Sequence, residues 1–413
     1  MTGPRPDRTA PDRPSVMVVG PGWRFTSGMS YYTCRLANAF AERTDTSALL
    51  VRRLVPRALY PGRRRVGRPV NSLTYRPDVP VFEGIDWYWG RSIVTAVRFL
   101  RGRRPDVLVL QWWTGAVLHS YLLLAVLARR RGARVVVEWH EVQDTGEARV
   151  PGATAYVTRL LRLLLARCDG HVVHSAHDLA LLRRAYHLTG PVEVAPHGPY
   201  DHLTIPSAAA PAGPDGGPAP RPGERTLLYF GIVRPYKGVE DLVAAFDLLP
   251  DDIAGGLRLV LAGETWEGWT APRDAVRRSP RRDRITVIDR YVTDAEAAGL
   301  FAAADAVALP YRRSSSSGPL HLAMSAGLPV LVSDVGGLRE AAGDYAGAVF
   351  TPPGDPASIA AGLVDLLSRT GRRYADPCSW SRTLDAYDRL LAASTPTAGP
   401  IAAASPRGRV AAR

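Results

Sequence analysis

The chain has 413 residues, 46% of them hydrophobic and 22% charged, which suits two globular α/β domains with cores that need no covalent staples. Three widely spaced cysteines (Cys34, Cys168 and Cys378), with no Cys-x-x-Cys pair, argue against a disulfide framework or a structural zinc site. The net charge of +13 is clustered in arginine runs, with seven arginines and no acid in 51–68, which points to a phosphate-bearing partner; no zinc-finger spacing or aromatic RNA-binding signature is present, so no nucleic acid is expected.

The opening "MTGPRPDRTAPDRPS" lacks the apolar core of a secretory signal, and the apolar stretches 116–128 and 160–166 are too short to span a bilayer. A cytoplasmic location is therefore expected, with the basic face available to an anionic membrane surface. "SVMVVGPG" reads as a buried first strand and loop, and "MSYYTCRLANAFAER" as a helix. Further short apolar strands follow in "DVLVLQW", "RVVVEWH", "HVVHS" and "VEVAPHG", with helices expected at 116–131, 153–167 and 177–186. This alternation makes 15–205 a Rossmann-like domain on a parallel sheet.

"PSAAAPAGPDGGPAPRPG" at 206–223 reads as a linker. A second strand–helix series, with helices expected at 239–249, 294–303, 319–326 and 356–368, makes 224–377 another Rossmann-like domain. A C-terminal helix is expected at 378–394, packing back on the first domain, and the tail 395–413 is low in complexity. The fold class is α/β: two doubly wound domains facing across a cleft, with chemistry in the loops after their strands.

Those loops hold a coherent set. Arg234 and Lys237 follow the strand "TLLYFGIV", where two cations suit a diphosphate. The run from Ser314 to Ser317, then Gly318, Pro319 and Leu320, opens a helix whose free amides would bind an anion, with Pro319 setting φ at the first turn. Trp113 ends a first-domain strand, where it suits stacking on a sugar or packing in the core. His171, His174 and His177 cluster near another strand end without completing a metal ligand set.

The motif order "SGMSYYTCRLANAF", "VAPHGPYD", "YFGIVRPYKGVEDLVAAF", "LVLAGE", "YVTDAEAAGLFAAADAVALPY" and "SGPLHLAMSAGLPVLVSDVGGLRE" resembles the family-4 retaining glycosyltransferases of the GT-B fold, over roughly 15–375. The resemblance implies a nucleoside-diphosphate sugar on the second domain and an acceptor, lipid-linked or a cell-envelope glycan, on the first, with no metal or other cofactor. It assigns His140 to the donor sugar, Arg234 and Lys237 to the diphosphate, and Gly28, Gly231, Ser314, Ser317, Gly318, Pro319 and Leu320 to donor binding. Glu138, Asp144 and Trp113 become acceptor-side candidates. The chain departs from the family's paired glutamates, having Ser314 and Leu322 at those positions. That departure leaves open a non-catalytic glycosyltransferase-like scaffold and, as a third reading, a GT-B sugar-nucleotide epimerase.

Overall fold

Short, almost uninterrupted apolar runs can be buried on both faces only in a parallel sheet covered by helices on each side. The computed structural model builds two such sheets. It describes residues 13–23, 28–54, 73–142, 153–203, 223–266, 268–314 and 316–394. The linker stretch up to 222, the tail 395–413 and the arginines of 55–72 lie outside that range.

The first half runs β1 (Ser15–Pro21), α1 (Gly28–Arg43), β2 (Asp45–Arg53), β3 (Val81–Asp86), α2 (Arg91–Arg103), β4 (Val107–Trp112), α3 (Leu118–Arg129), β5 (Arg134–Trp139), α4 (Ala153–Leu165), β6 (Gly170–Val173), α5 (Ala176–Ala185) and β7 (Val192–Val194). Its strands pair in parallel in the order β3-β2-β1-β4-β5-β6-β7. Alternation along a strand divides the core in two. Met17 and Val19 of β1 point into the cluster that holds buried residues of α2, α3 and α4, whereas Val16 and Val18 point into the one under α1.

The second half runs β8 (Arg225–Phe230), α6 (Val239–Asp247), α7 (Asp251–Gly255), β9 (Leu257–Ala262), α8 (Ala271–Arg278), β10 (Ile285–Ile288), α9 (Asp294–Ala303), β11 (Ala306–Leu309), α10 (Gly318–Ser325), β12 (Val330–Ser333), α11 (Leu338–Ala342), β13 (Ala348–Thr351) and α12 (Pro356–Ser368). The sheet order is β10-β9-β8-β11-β12-β13. In both sheets the order reverses beside the first strand, between β1 and β4 and between β8 and β11. Crevices at such switch points receive ligands at the carboxyl ends of the strands.

The last helix, α13 (Trp380–Ala393), crosses back and joins the α1 side of the first domain's core. Its Tyr387 is fully buried, edge-on to Phe40 at 5.0 Å between ring centres, and Arg43 on α1 pairs with Asp385 and Asp388. The domains are thus joined twice, through the segment around His197–Tyr200 and through the entry to α13.

The elements not foreseen are β2, β3 and α2 in the first half and the short helices α7, α8 and α11 in the second. β2 begins and ends polar and runs into the arginine-rich stretch, so its arginines read as surface charge. In the fold Arg52 is taken up by Asp86 at the end of β3, the guanidinium Nε donating at 3.0 Å. A strand flanked by a partnered arginine has no periodic signature of its own.

Truncating Tyr387 to alanine empties a fully buried aromatic site, so Tyr387→Ala is expected to lower stability by about 3–5 kcal/mol. Urea unfolding followed by tryptophan fluorescence measures this; a loss under about 1 kcal/mol would mean that α13 is not part of the first domain's core.

Candidate active site

Loops from the carboxyl ends of both sheets meet around a cleft of about 760 Å³. The first domain contributes Gly28, Met29 and Tyr31 from the start of α1, Trp113 after β4, Glu141 after β5, and His177 from α5. The second contributes Gly231, Arg234 and Lys237 after β8, Glu264 and Trp266 after β9, Tyr291 and Asp294 after β10, Arg313, Ser314, Ser316, Gly318 and Pro319 after β11, and Gly336 after β12. The floor depends on two glycines. Gly231 (φ 127°) and Gly263 (φ 150°) lie backbone against backbone, and a Cβ on Gly263 would sit 1.9 Å from the Gly231 carbonyl oxygen. Only glycine adopts these conformations without strain.

The cationic pair converges here. Lys237 is the only lysine in the chain, every other Lys/Arg position being arginine. It lies on the wall at 9% exposure, with its Nζ 3.6 Å from the centre of the Tyr311 ring. Burial pushes its pKa down to about 7; Glu141 across the cleft acts in the opposite direction and Arg234 adds to the depression. Arg234 spreads its guanidinium over the Trp266 ring at 4.7 Å, which holds the charge at the cleft surface.

The start of α10 is more selective than the sequence suggests. Ser317 is the helix N-cap: its Oγ accepts from the Leu320 amide at 3.3 Å, and its hydroxyl donates to Tyr311 Oη at 3.3 Å. Ser317 and Leu320 are buried and lie off the cleft wall, which corrects their assignment to the donor. Pro319 has no amide hydrogen, so of the two first-turn residues on the cleft wall only Gly318 keeps an N–H. Ser314 and Ser316 also face it, and Ser314 Oγ donates to the Ser316 carbonyl at 2.7 Å. Gly28 does reach the cleft, but its lack of a side chain also serves the crossover: the Tyr200 hydroxyl donates to the Gly28 carbonyl at 2.9 Å, and a Cβ at Gly28 would lie 2.8 Å from that oxygen.

His140 and Glu138 lie off the cleft wall, against expectation. Both are buried in the interior behind it. Tyr32 donates to Glu138 Oε1 at 2.6 Å, and Gln111 donates its amide to Oε2. The Gln111 carbonyl oxygen lies 2.7 Å from His140 Nε2, so Gln111 couples the two side chains. Burial raises the Glu138 carboxyl to about 7, opposed by the Tyr32 and Gln111 hydrogen bonds, and pushes His140 well below the usual imidazole range. Glu138 is therefore no acceptor-side group; its alternation with His140 on β5 turns both inward. His140, His174, His197 and His321 form a file of neutral rings with centres 4.3–5.0 Å apart that leads from β5 to α10. Glu138, His140 and His174 bring one ligand atom each within 4.8 Å, the one such group found among the described residues. Both Glu138 oxygens already accept hydrogen bonds there. Asp144 lies outside the described residues.

Trp113, the third acceptor-side candidate, does line the cleft, as does Glu141, which was not among the sequence candidates. Two contacts across the domains also lacked a sequence signal. The Tyr31 hydroxyl donates to Asp294 with its ring stacked on His202 at 4.0 Å, and the Glu340 carboxylate accepts from the first amides of α5, Ala176 at 2.6 Å and His177 at 2.9 Å.

This fold and this cleft have counterparts among known proteins. Residues 27–198 match the family model described as glycosyl transferase 4-like domain, and residues 224–369 match that of glycosyl transferases group 1. The chain belongs to the group 1 glycosyltransferases, and its fold is GT-B. D-inositol 3-phosphate glycosyltransferase of Geodermatophilus obscurus is 34% identical over 194 residues, 44% of this chain and 42% of that protein. O-antigen chain mannosyltransferase B of Escherichia coli is 31% identical over 178 residues, 40% and 45% of the two chains. GDP-mannose:glycolipid 4-beta-D-mannosyltransferase of Xanthomonas campestris is 37% identical over 106 residues, 25% and 29%. The matches span less than half the length of each of these relatives. Sucrose-phosphate synthase from Thermosynechococcus elongatus superposes with a TM-score of 0.61 at 18% identity, covering 92% of this chain and 95% of that one; Anabaena HepE in complex with UDP-glucose does so at 0.59 and 13%, covering 92% and 99%. At these identities the structures establish the fold alone.

Removing both interdomain contacts in Tyr31→Phe/Glu340→Ala is expected to let the cleft open. Small-angle scattering should show a larger radius of gyration with an unchanged far-UV spectrum. An unaltered radius would show that the two contacts do not hold the domains together.

Proposed function

We propose that the protein transfers a sugar from a nucleoside-diphosphate sugar to an acceptor hydroxyl with retention of anomeric configuration. The observation that carries this reading is the placement of the chain's single lysine. Lys237 forms no salt bridge among the described residues, with Glu141 acting on it only from across the cleft; a buried amine so placed is costly, and an entering diphosphate would supply the missing charge. Arg234 meets the same group, and the Gly318 amide at the positive end of α10 adds an anion-directed N–H. As the anomeric bond breaks, its electron pair passes to the diphosphate oxygen, and this cationic frame holds the charge that develops there. The acceptor hydroxyl approaches on the same face of the sugar and gives its proton to the departing oxygen, while Trp113 and Glu141 line the first-domain side where that hydroxyl would lie. The protein's contribution is orientation and charge, and no step calls on a metal.

We infer a lipid-linked or cell-envelope acceptor, met at the inner face of a membrane. The glycolipid named for the Xanthomonas relative supports this class of acceptor. The described residues contain no helix long and apolar enough to cross a membrane. A second reading, a nucleotide-binding scaffold without turnover, draws on Ser314 and Leu322: Leu322 lines the cleft where the related enzymes carry an acid. The carboxylates on the wall are instead Glu141, Glu264 and Asp294, and Asp294 is engaged by Tyr31.

Lys237→Ala is expected to weaken nucleoside diphosphate binding by about 10–100-fold, the worth of one charged hydrogen bond, and to lower turnover further. Calorimetry with UDP and GDP, alongside sugar release from their sugars, checks this. Binding that depends on Lys237 with no sugar released from any donor would favour the scaffold, and binding indifferent to Lys237 would refute the assignment. Lys237→Arg should not rescue fully, since a planar guanidinium differs in shape and hydrogen-bond geometry from the buried ammonium packed 3.6 Å from the Tyr311 ring centre.

Binding also carries a pH signature. The free amine titrates near 7 and a bound diphosphate raises that value, so the complex holds a proton that the free protein has partly lost above pH 7. Affinity should be full below that point and fall by up to about tenfold per pH unit above it. Calorimetry in buffers of different ionisation enthalpy should show uptake approaching one proton near pH 8 in the wild type and less in Lys237→Ala. Equal uptake in both proteins would contradict the role given to Lys237.

A further inference from the structure

Helices α2, α3 and α4 lie side by side on one face of the first domain's sheet, their inner sides filling one core cluster. None of the three carries an aspartate or glutamate. Their outer surface is arginine and hydrophobe. On α2, Arg91, Val94, Arg98 and Arg101 follow one another at helical spacing and are all exposed; on α4, Tyr156, Arg159, Arg162 and Leu163 are exposed. Arg91, Arg98, Arg101, Arg159 and Arg162 have no ion-pair partner among the described residues.

At one end of this layer the turn between β3 and α2 presents Trp87 at 38% and Tyr88 at 60% exposure. The turn is held in an unusual form. Trp89 sits at φ 61°, a region a bulky residue rarely adopts, and its indole N–H donates to Ser120 Oγ on α3 at 2.8 Å. His119 ties the group together, with one ring nitrogen 2.8 Å from the Tyr156 hydroxyl and the other 2.7 Å from the Trp87 carbonyl. Backbone strain is thus spent on keeping two large aromatics in solvent beside unpaired arginines.

We propose that this α2–α3–α4 face docks on an anionic lipid bilayer, with Trp87, Tyr88 and Tyr156 entering the interfacial layer and the arginines meeting lipid phosphates. Tryptophan and tyrosine rings favour the boundary between acyl chains and headgroups, and arginines near the surface are attracted to anionic lipid. The three helices carry no acidic group that a bilayer of that charge would repel. The position fits the cleft: Trp113 on the cleft wall lies six residues before His119, and its ring meets Tyr121 of α3 at 6.1 Å. Docking would bring the acceptor side of the cleft to the membrane. This deepens the lipid-linked acceptor reading but does not require transfer to occur.

The test is sedimentation of the full chain with phosphatidylcholine vesicles made with and without phosphatidylglycerol, at low and high salt. The wild type should bind the anionic vesicles and be released by salt. Arg98→Glu/Arg101→Glu should lose about tenfold or more in affinity. Trp87→Ala/Tyr88→Ala should lose binding and the blue shift of tryptophan emission. Arg278→Glu/Arg282→Glu, the same charge change on exposed arginines of the other domain, should bind as the wild type does. Wild-type binding that does not distinguish anionic from neutral vesicles, or face variants that bind normally, would overturn the proposal. Duplex DNA capture that these variants lose while vesicle binding persists would also overturn it. UDP and GDP binding by the same variants separates the two readings. Vesicle binding without nucleotide binding would leave the docking face standing and remove the transferase.

Discussion

The cleft is organised around one unfavourable act, the burial of a primary amine. In water an ammonium is strongly hydrated; within a wall made by Tyr236, Tyr311 and the β8 loop it loses most of that hydration, and its pKa falls to about 7. Aromatic faces offset part of the cost, and the Glu141 carboxylate a further part from across the cleft. What remains is a local deficit of negative charge, and a diphosphate is the natural group to fill it. The contrast with the rest of the chain matters, because arginine serves every other basic position. Arginine keeps its charge wherever it is placed, whereas lysine can give up its proton when the site is empty.

That amine is held by the sheets. Lys237 ends a short 3₁₀ turn after β8, closed by Gly238 in a left-handed conformation with its α-carbon close under the Pro310 carbonyl. Gly231 and Gly263 let the β8 and β9 loops touch, and Gly28 lets the crossover tyrosine approach α1. Each is a place where a side chain would separate two loops that must meet. The strand order places all of them at the carboxyl ends beside the switch points, so the topology decides where the cleft lies and the glycines decide how closely its walls come together.

Much of this was legible in the sequence, for physical reasons that can be named. Strands buried on both faces read as apolar runs, and the helices at 294–303 and 356–368 were placed to the residue because a Thr-x-x-Glu capping box and an Asp-Pro start mark their beginnings. The placement of Arg234, Lys237, Gly318 and Pro319 on the cleft wall was legible because each follows a strand's carboxyl end, where the loops of such sheets gather. What stayed hidden depended on which way a side chain turns. His140 ends its strand just as a cleft histidine should, yet Gln111 of the neighbouring strand draws it into the interior. Glu141, one residue on, has left the strand and faces the cleft. A strand end decides within one residue whether a side chain is structural or exposed to ligand, and the pattern of a single strand contains nothing about the partner on the next one.

The interior file of histidines gives these inward residues a consequence of their own. Every ring in it is held neutral by burial, so the file adds no positive charge behind the cationic wall of the cleft. It begins at β5 in the first domain and ends at His321, one turn into α10, while the crossover residue His197 stacks on that last ring at 4.3 Å. The start of α10 on the cleft wall is therefore braced from behind by the first domain and by the crossover together. Because Tyr200 of the same crossover also holds Gly28, the starts of α10 and α1, on opposite walls of the cleft, are both in contact with one segment.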